Sequence, residues 1–129
     1  MRLSLDTNVY TALFRGDQTI ADYVKRADHV HLSAVVAGEL LFGFRNGSRY
    51  EANRRGLEDF LLSAYVSLLP VTLVTADRFG RIATSLRRKG RPIPSNDIWI
   101  AAHAMESGSE LLTHDQHFKE VDGLAWVQP

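Results

Sequence analysis

Leu3-Ser4-Leu5-Asp6-Thr7-Asn8-Val9 changes character within seven residues. The apolar start Met1-Arg2-Leu3-Ser4-Leu5 reads as a short strand, with its centre at Leu3 to Leu5. Asp6-Thr7-Asn8 then supplies the turn and N-cap groups that open a helix. The helix follows from Val9 to Phe14, and Gly16 closes it. The same succession returns at Val30 to Leu32, where Ser33 caps a helix carrying Val35, Val36, Glu39, Leu40 and Phe42 as far as Gly43.

Further strands are expected at Tyr65 to Leu69, Leu111 to Thr113 and Leu124 to Val127. Asp17 can cap a second helix, with Ile20, Val24 and Ala27 on its inner face. Others are expected from about Tyr50 to Ser63, from about Ala76 to Lys89 with Gly90 as the stop, and from a Ser95 cap to Gly108. Strands alternating with helices imply βαβ units and a parallel sheet. The expected architecture is a single α/β domain over residues 1–129, with a mostly parallel five-stranded sheet flanked by helices. There is no internal repeat, low-complexity tract or linker.

Composition narrows the class. Hydrophobic residues make up 45% of the chain, enough to bury a core rather than remain disordered. Cysteine is absent, which removes disulfides, thiolate zinc sites and cysteine nucleophiles and fits a reducing cytoplasm. The uncharged stretch from Leu61 to Ala76 contains Pro70 and several hydroxyl residues. It falls short of the roughly 20 apolar residues of a membrane helix, so no membrane role is expected. Fifteen basic residues balance fifteen acidic ones, which argues against nucleic-acid binding by bulk charge. The basic residues are nevertheless concentrated: Arg78, Arg81, Arg87, Arg88, Lys89 and Arg91 precede Asp97 closely.

Binding sites in parallel sheets lie beyond the carboxyl ends of the strands. Asp6 and Asp115 stand at such ends, and Glu39 and Asp97 fall in early turns of helices beginning at the same edge. Four acids are thus expected on one rim. Two carboxylates about 4 Å apart repel by roughly 4 kcal/mol at an effective dielectric near 20. Such a group either takes up protons or recruits a cation, and all-oxygen donors favour Mg²⁺ or Mn²⁺ over zinc. Hydrolysis of a phosphodiester suits these parts better than proton transfer between two carboxylates. Thr7, Asn8, Asn96 and Thr113 offer hydroxyl and amide groups to orient the acids, or equally to cap helices and close turns. His114 and His117 flank Asp115 and read as solvated or phosphate-facing, while His103 reads as a packed or surface residue.

Four segments together resemble the PIN domain: Leu5-Asp6-Thr7-Asn8, the region of Glu39, Pro94-Ser95-Asn96-Asp97-Ile98-Trp99-Ile100-Ala101-Ala102, and Leu112-Thr113-His114-Asp115-Gln116-His117-Phe118. More closely they resemble VapC toxins of toxin–antitoxin pairs. The likeness spans essentially the whole chain and rests on the ordered set rather than on one motif. It implies a three-layer PIN-like sandwich and a Mg²⁺- or Mn²⁺-dependent endoribonuclease acting on tRNA or rRNA. It also implies a homodimer restrained by a VapB-type antitoxin.

By this resemblance Asp6 and Asp97 contact the metal, Glu39 and Asp115 complete the catalytic pocket, and Thr113 supports it. A water activated by the ion would attack the phosphate in line, leaving 5′-phosphate and 3′-hydroxyl ends. RNA must then meet positive charge near the acids. Arg78, Arg81, Arg88, Lys89 and Arg91 are the first candidates, and Arg45, Arg49, Arg54 and Arg55 the second. Val9, Tyr10, Leu13, Phe14, Leu41, Phe42 and Phe44 are candidates for the antitoxin groove, or for the core. The alternative is a PIN-like scaffold that binds RNA or protein without cutting. A receiver domain and a dehalogenase-type phosphatase fit less well, the latter because Asn8 stands where a second aspartate belongs.

Overall fold

The computed structural model describes residues 1–129. Strand β1 (Arg2–Leu5) leads into helix α1 (Thr7–Phe14), followed by α2 (Gln18–Arg26), β2 (His29–Ser33), α3 (Ala34–Arg45) and α4 (Tyr50–Leu62). The second half contains β3 (Val66–Leu69), α5 (Leu73–Lys89), α6 (Ser95–Glu106), β4 (Glu110–Leu112), a 3-10 turn (Gln116–Glu120) and β5 (Trp126–Val127). The sheet order is β3-β2-β1-β4-β5. Every pairing is parallel, so the sheet is wholly rather than mostly parallel.

A central parallel strand is covered on both faces and must carry apolar residues on both. In β1, Leu3 and Leu5 are buried in register with Val30 of β2 and with Leu112 of β4. Phe118, fully enclosed, anchors the 3-10 turn to this core. The register also sets a common edge. Asp6 N–H donates to the Leu112 carbonyl at 3.1 Å, and Thr113 N–H donates to Val127 at 3.0 Å. The residues that leave β1 and β4 therefore emerge side by side.

Most expected caps form. Asp17 accepts from Ile20 N–H at 3.1 Å, and Ser33 accepts from Val35 N–H at 3.1 Å. Helix α5 begins at Leu73, earlier than the apolar stripe suggested. Thr72 N–H donates to Thr75 Oγ1 at 3.1 Å, and the Thr72 carbonyl accepts from Ala76, so hydroxyl chemistry starts the helix before the stripe begins. Ser95 is the first residue of α6 rather than its cap. The Pro94 carbonyl accepts from both Asp97 and Ile98, which shifts the start by one position. Strand β5 contracts from the expected Leu124–Val127 to Trp126–Val127.

Helices α5 and α6 form an antiparallel pair. Thr75 near the start of α5 donates to Glu106 at the end of α6, with 2.6 Å between oxygens. Gly90, at φ 66°, terminates α5 in the left-handed region that glycine adopts without a Cβ penalty. The chain then returns to the start of α6, so the basic end of α5 and Asp97 share one end of the pair. His103 on α6 is packed rather than superficial. Its Nδ1 lies 2.7 Å from Ser33 Oγ, and its Nε2 lies 3.0 Å from the Pro70 carbonyl.

Candidate active site

Asp6 is the most enclosed of the four acids, at 8% exposure. Its position follows from its place between β1 and α1: the extended backbone of a cap residue turns the side chain back over the helix start. Oδ1 accepts from Thr7 N–H at 2.8 Å, and Oδ2 accepts from Thr113 Oγ1–H at 2.7 Å. Thr113 Oγ1 in turn accepts from Asp115 N–H at 3.0 Å. One buried hydroxyl thus connects two acids. Thr7 extends the network by donating to Glu39 Oε1 on α3 at 2.7 Å.

Asp97 arrives from the first turn of α6, and Asp115 caps the 3-10 turn by accepting from His117 N–H at 2.9 Å. The His117 ring folds back between them. Its Nδ1 lies 3.1 Å from Asp115 Oδ1 and 3.3 Å from Asp97 Oδ2. One ligand atom from each of these three residues lies within 4.8 Å of the others.

The electrostatics identify a single cluster. Burial raises the Asp6 carboxyl above its ordinary value, and the charges of Glu39 and Asp115 raise it further, against the opposing hydrogen bonds from Thr113 and Thr7. Burial likewise raises Asp97, with Asp6 and Asp115 adding to the shift and His117 opposing it. Each acid is therefore within range of at least one other, as a common rim requires. Carboxylates destabilised in this way gain from a divalent cation, and an oxygen-rich set with one imidazole suits Mg²⁺ or Mn²⁺. The residues fit such an ion.

Asn8 and Asn96 are exposed and make no hydrogen bond to the acids. His117 is half-exposed, in line with the solvated reading, but it also faces two carboxylates, which was not expected from the sequence. Its signal was the two-residue spacing from Asp115, which a capped turn converts into contact. Among the basic candidates, Arg81 pairs with Asp77 at 3.1 Å, and Lys89 with Asp122 at 2.7 Å. Arg78, Arg88 and Arg91 have no acidic partner within the chain. Arg81, Arg88 and Lys89 border an open concavity of about 830 Å³ beside Thr84 and Ser85.

The PIN domain family model matches residues 3–124. The chain belongs to the PIN-domain family. Ribonuclease VapC1 of Haemophilus influenzae strain R2866 is 32% identical over 127 residues, covering 95% of this chain and 93% of the relative. Ribonuclease VapC5 of Mycobacterium tuberculosis is 31% identical, covering 96% of this chain and 90% of the relative. Among solved structures, VapBC-1 from nontypeable Haemophilus influenzae superposes with a TM-score of 0.87 at 30% identity, covering 99% of this PIN domain and 98% of that chain. The PIN sheet, with its helices on both sides, is the scaffold that brings Asp6, Glu39, Asp97 and Asp115 to one rim.

Proposed function

We propose that this chain is a metal-dependent endoribonuclease and the toxin of a toxin–antitoxin pair. The convergence of Asp6, Glu39, Asp97 and Asp115 in one hydrogen-bonded cluster carries the reading, in a chain whose relatives are VapC ribonucleases. Asp6 and Asp97 are the principal ligands for Mg²⁺ or Mn²⁺, and Glu39 and Asp115 complete the pocket. An ion held by these residues would supply Lewis-acid charge and lower the pKa of water for attack on a phosphodiester. Thr113 and Thr7 hold both oxygens of Asp6, so that the carboxylate needs little reorganisation. Glu39, fixed through Thr7, faces the same space and can order a water. The unpaired Arg88 and Arg91 hold RNA phosphates at the approach to the acids. Cleavage of tRNA or rRNA leaves 5′-phosphate and 3′-hydroxyl ends.

The partners follow from the relatives and from two groups of exposed apolar side chains. The H. influenzae and Rickettsia felis VapBC structures contain toxin–antitoxin assemblies, which supports a VapB-type partner. Of the candidates for its groove, Val9 and Tyr10 are buried, whereas Phe14 and Phe42 are exposed. A second group of exposed apolar side chains, Leu62, Tyr65, Leu68, Val71, Leu73 and Val74, lies in and around edge strand β3. It supports a homodimer, which light scattering of Leu73→Asp against the parent tests. No helix is long and apolar enough to cross a membrane.

The deciding experiment is cleavage of total RNA by purified protein with Mg²⁺ or Mn²⁺. Activity lost with EDTA and in Asp6→Asn and Asp97→Asn supports the nuclease. RNA binding with no turnover under any metal condition points instead to a non-catalytic PIN scaffold.

A further inference from the structure

The acidic rim holds one nitrogen donor that all-oxygen chemistry does not require. His117 Nδ1 is 3.1 Å from Asp115 Oδ1 and 3.3 Å from Asp97 Oδ2. Neighbouring ligands on an octahedral ion with bonds of about 2.1 Å stand about 3 Å apart, which is the size of these separations. The local fold produces the arrangement. Asp115 Oδ1 accepts from the His117 backbone N–H at 2.9 Å, which curls the turn, and buried Phe118 fixes the next position. The ring's other nitrogen makes no hydrogen bond within the chain, and the side chain is 52% exposed. With a cation between the ring and the acids, Nε2 is free to carry the ring proton toward solvent, and Nδ1 is the nitrogen placed to meet the ion.

We propose that His117 Nδ1 is a direct ligand of the ion that Asp97 holds in this cluster, beside Asp115, and that it biases the site toward Mn²⁺ over Mg²⁺. The proposal rests on the metal-dependent reading of this site. Mg²⁺ prefers oxygen donors and retains its water, whereas imidazole nitrogen binds the first-row divalent ions more strongly. One imidazole among carboxylates therefore adds more to Mn²⁺ affinity than to Mg²⁺ affinity. The competing role is an imidazolium paired with both carboxylates, which would repel a cation. The two roles have opposite consequences when the ring is removed.

The test uses Mn²⁺ and Mg²⁺ as probes of the full chain. Free Mn²⁺ is measured by electron paramagnetic resonance, alone and with Mg²⁺ competing, for the parent and for His117→Gln. Electron spin-echo modulation then reports whether nitrogen is bonded to the Mn²⁺. The expected parent spectrum contains ¹⁴N modulation that is replaced when the protein is made with [¹⁵N]histidine, an arm that needs no variant. In His117→Gln the modulation disappears, Mn²⁺ affinity falls about tenfold, and Mg²⁺ affinity changes less than twofold. Parent protein that binds Mn²⁺ without nitrogen modulation overturns the ligand role. So does modulation that persists in His117→Gln, an equal loss of both ions, or tighter ion binding in the variant. A parent that binds neither ion overturns the metal-dependent reading itself and the ligand role with it.

Discussion

Thr113 Oγ1 donates to Asp6 Oδ2 at 2.7 Å across 107 positions of sequence, inside the buried edge where β1 and β4 end. The same oxygen accepts from Asp115 N–H at 3.0 Å. A single hydroxyl therefore sets the orientation of one acid and the backbone of another. Such supporting groups act on a metal site through its ligands.

Thr113→Val removes both hydrogen bonds while preserving shape. RNA cleavage should fall about tenfold to a hundredfold, with Thr113→Ser retaining most of it. Steady-state cleavage of a defined RNA checks this, alongside a circular dichroism melt to establish folding. Full activity in Thr113→Val would remove Thr113 from the site's support.

Asp6→Asn should abolish cleavage and stabilise the metal-free protein. The Asp6 carboxyl is raised above its ordinary value of 3.8, chiefly by burial. A group raised by folding contributes stability below its unfolded value and loses that contribution as pH rises through its folded value. At neutral pH the metal-free parent therefore carries a destabilising buried charge. Asn removes it and keeps an acceptor for Thr7 N–H, for an expected gain of about 1 kcal/mol. Chelator-treated proteins melted at several pH values should show the variant's advantage growing as pH rises above 3.8. Adding Mn²⁺ or Mg²⁺ should stabilise the parent and leave the variant nearly unmoved. A pH-independent difference between the two would contradict the linkage.

The basic residues should separate into free and committed groups. Lys89 binds Asp122 and the Glu120 carbonyl, both at 2.7 Å, whereas Arg88 and Arg91 have no acidic partner. If the two arginines each hold one phosphate, replacing both by Ala lowers the salt slope of single-stranded RNA binding by about 1.4. Lys89→Ala should change it less. Binding isotherms over a range of salt, measured in an Asp6→Asn background, distinguish these outcomes.

His103 should matter for stability and not for chemistry. Its two ring nitrogens meet Ser33 Oγ and the Pro70 carbonyl in the interior, where an orphaned partner is costly. His103→Leu is expected to lose about 2 kcal/mol. Urea unfolding should show a lower midpoint with an unchanged slope. An unaltered midpoint would mean that the bonds contribute nothing net.

The βα alternation, the helix caps at Asp17 and Ser33 and the four acids on one rim were legible in the residues themselves. They depend on local chemistry: apolar periodicity selects an element, a short polar side chain starts a helix, and parallel topology sends strand ends to one side. Tertiary structure alone decided the facing of His117, the concealment of His103 and the separation of free arginines from paired ones. Each depends on a partner distant in sequence or on the curl of a turn, and the residue type alone carries neither. Asp6 shows the boundary best. Its place at the end of a strand is local information, but its burial and its bond to Thr113 exist only after β1 and β4 have paired.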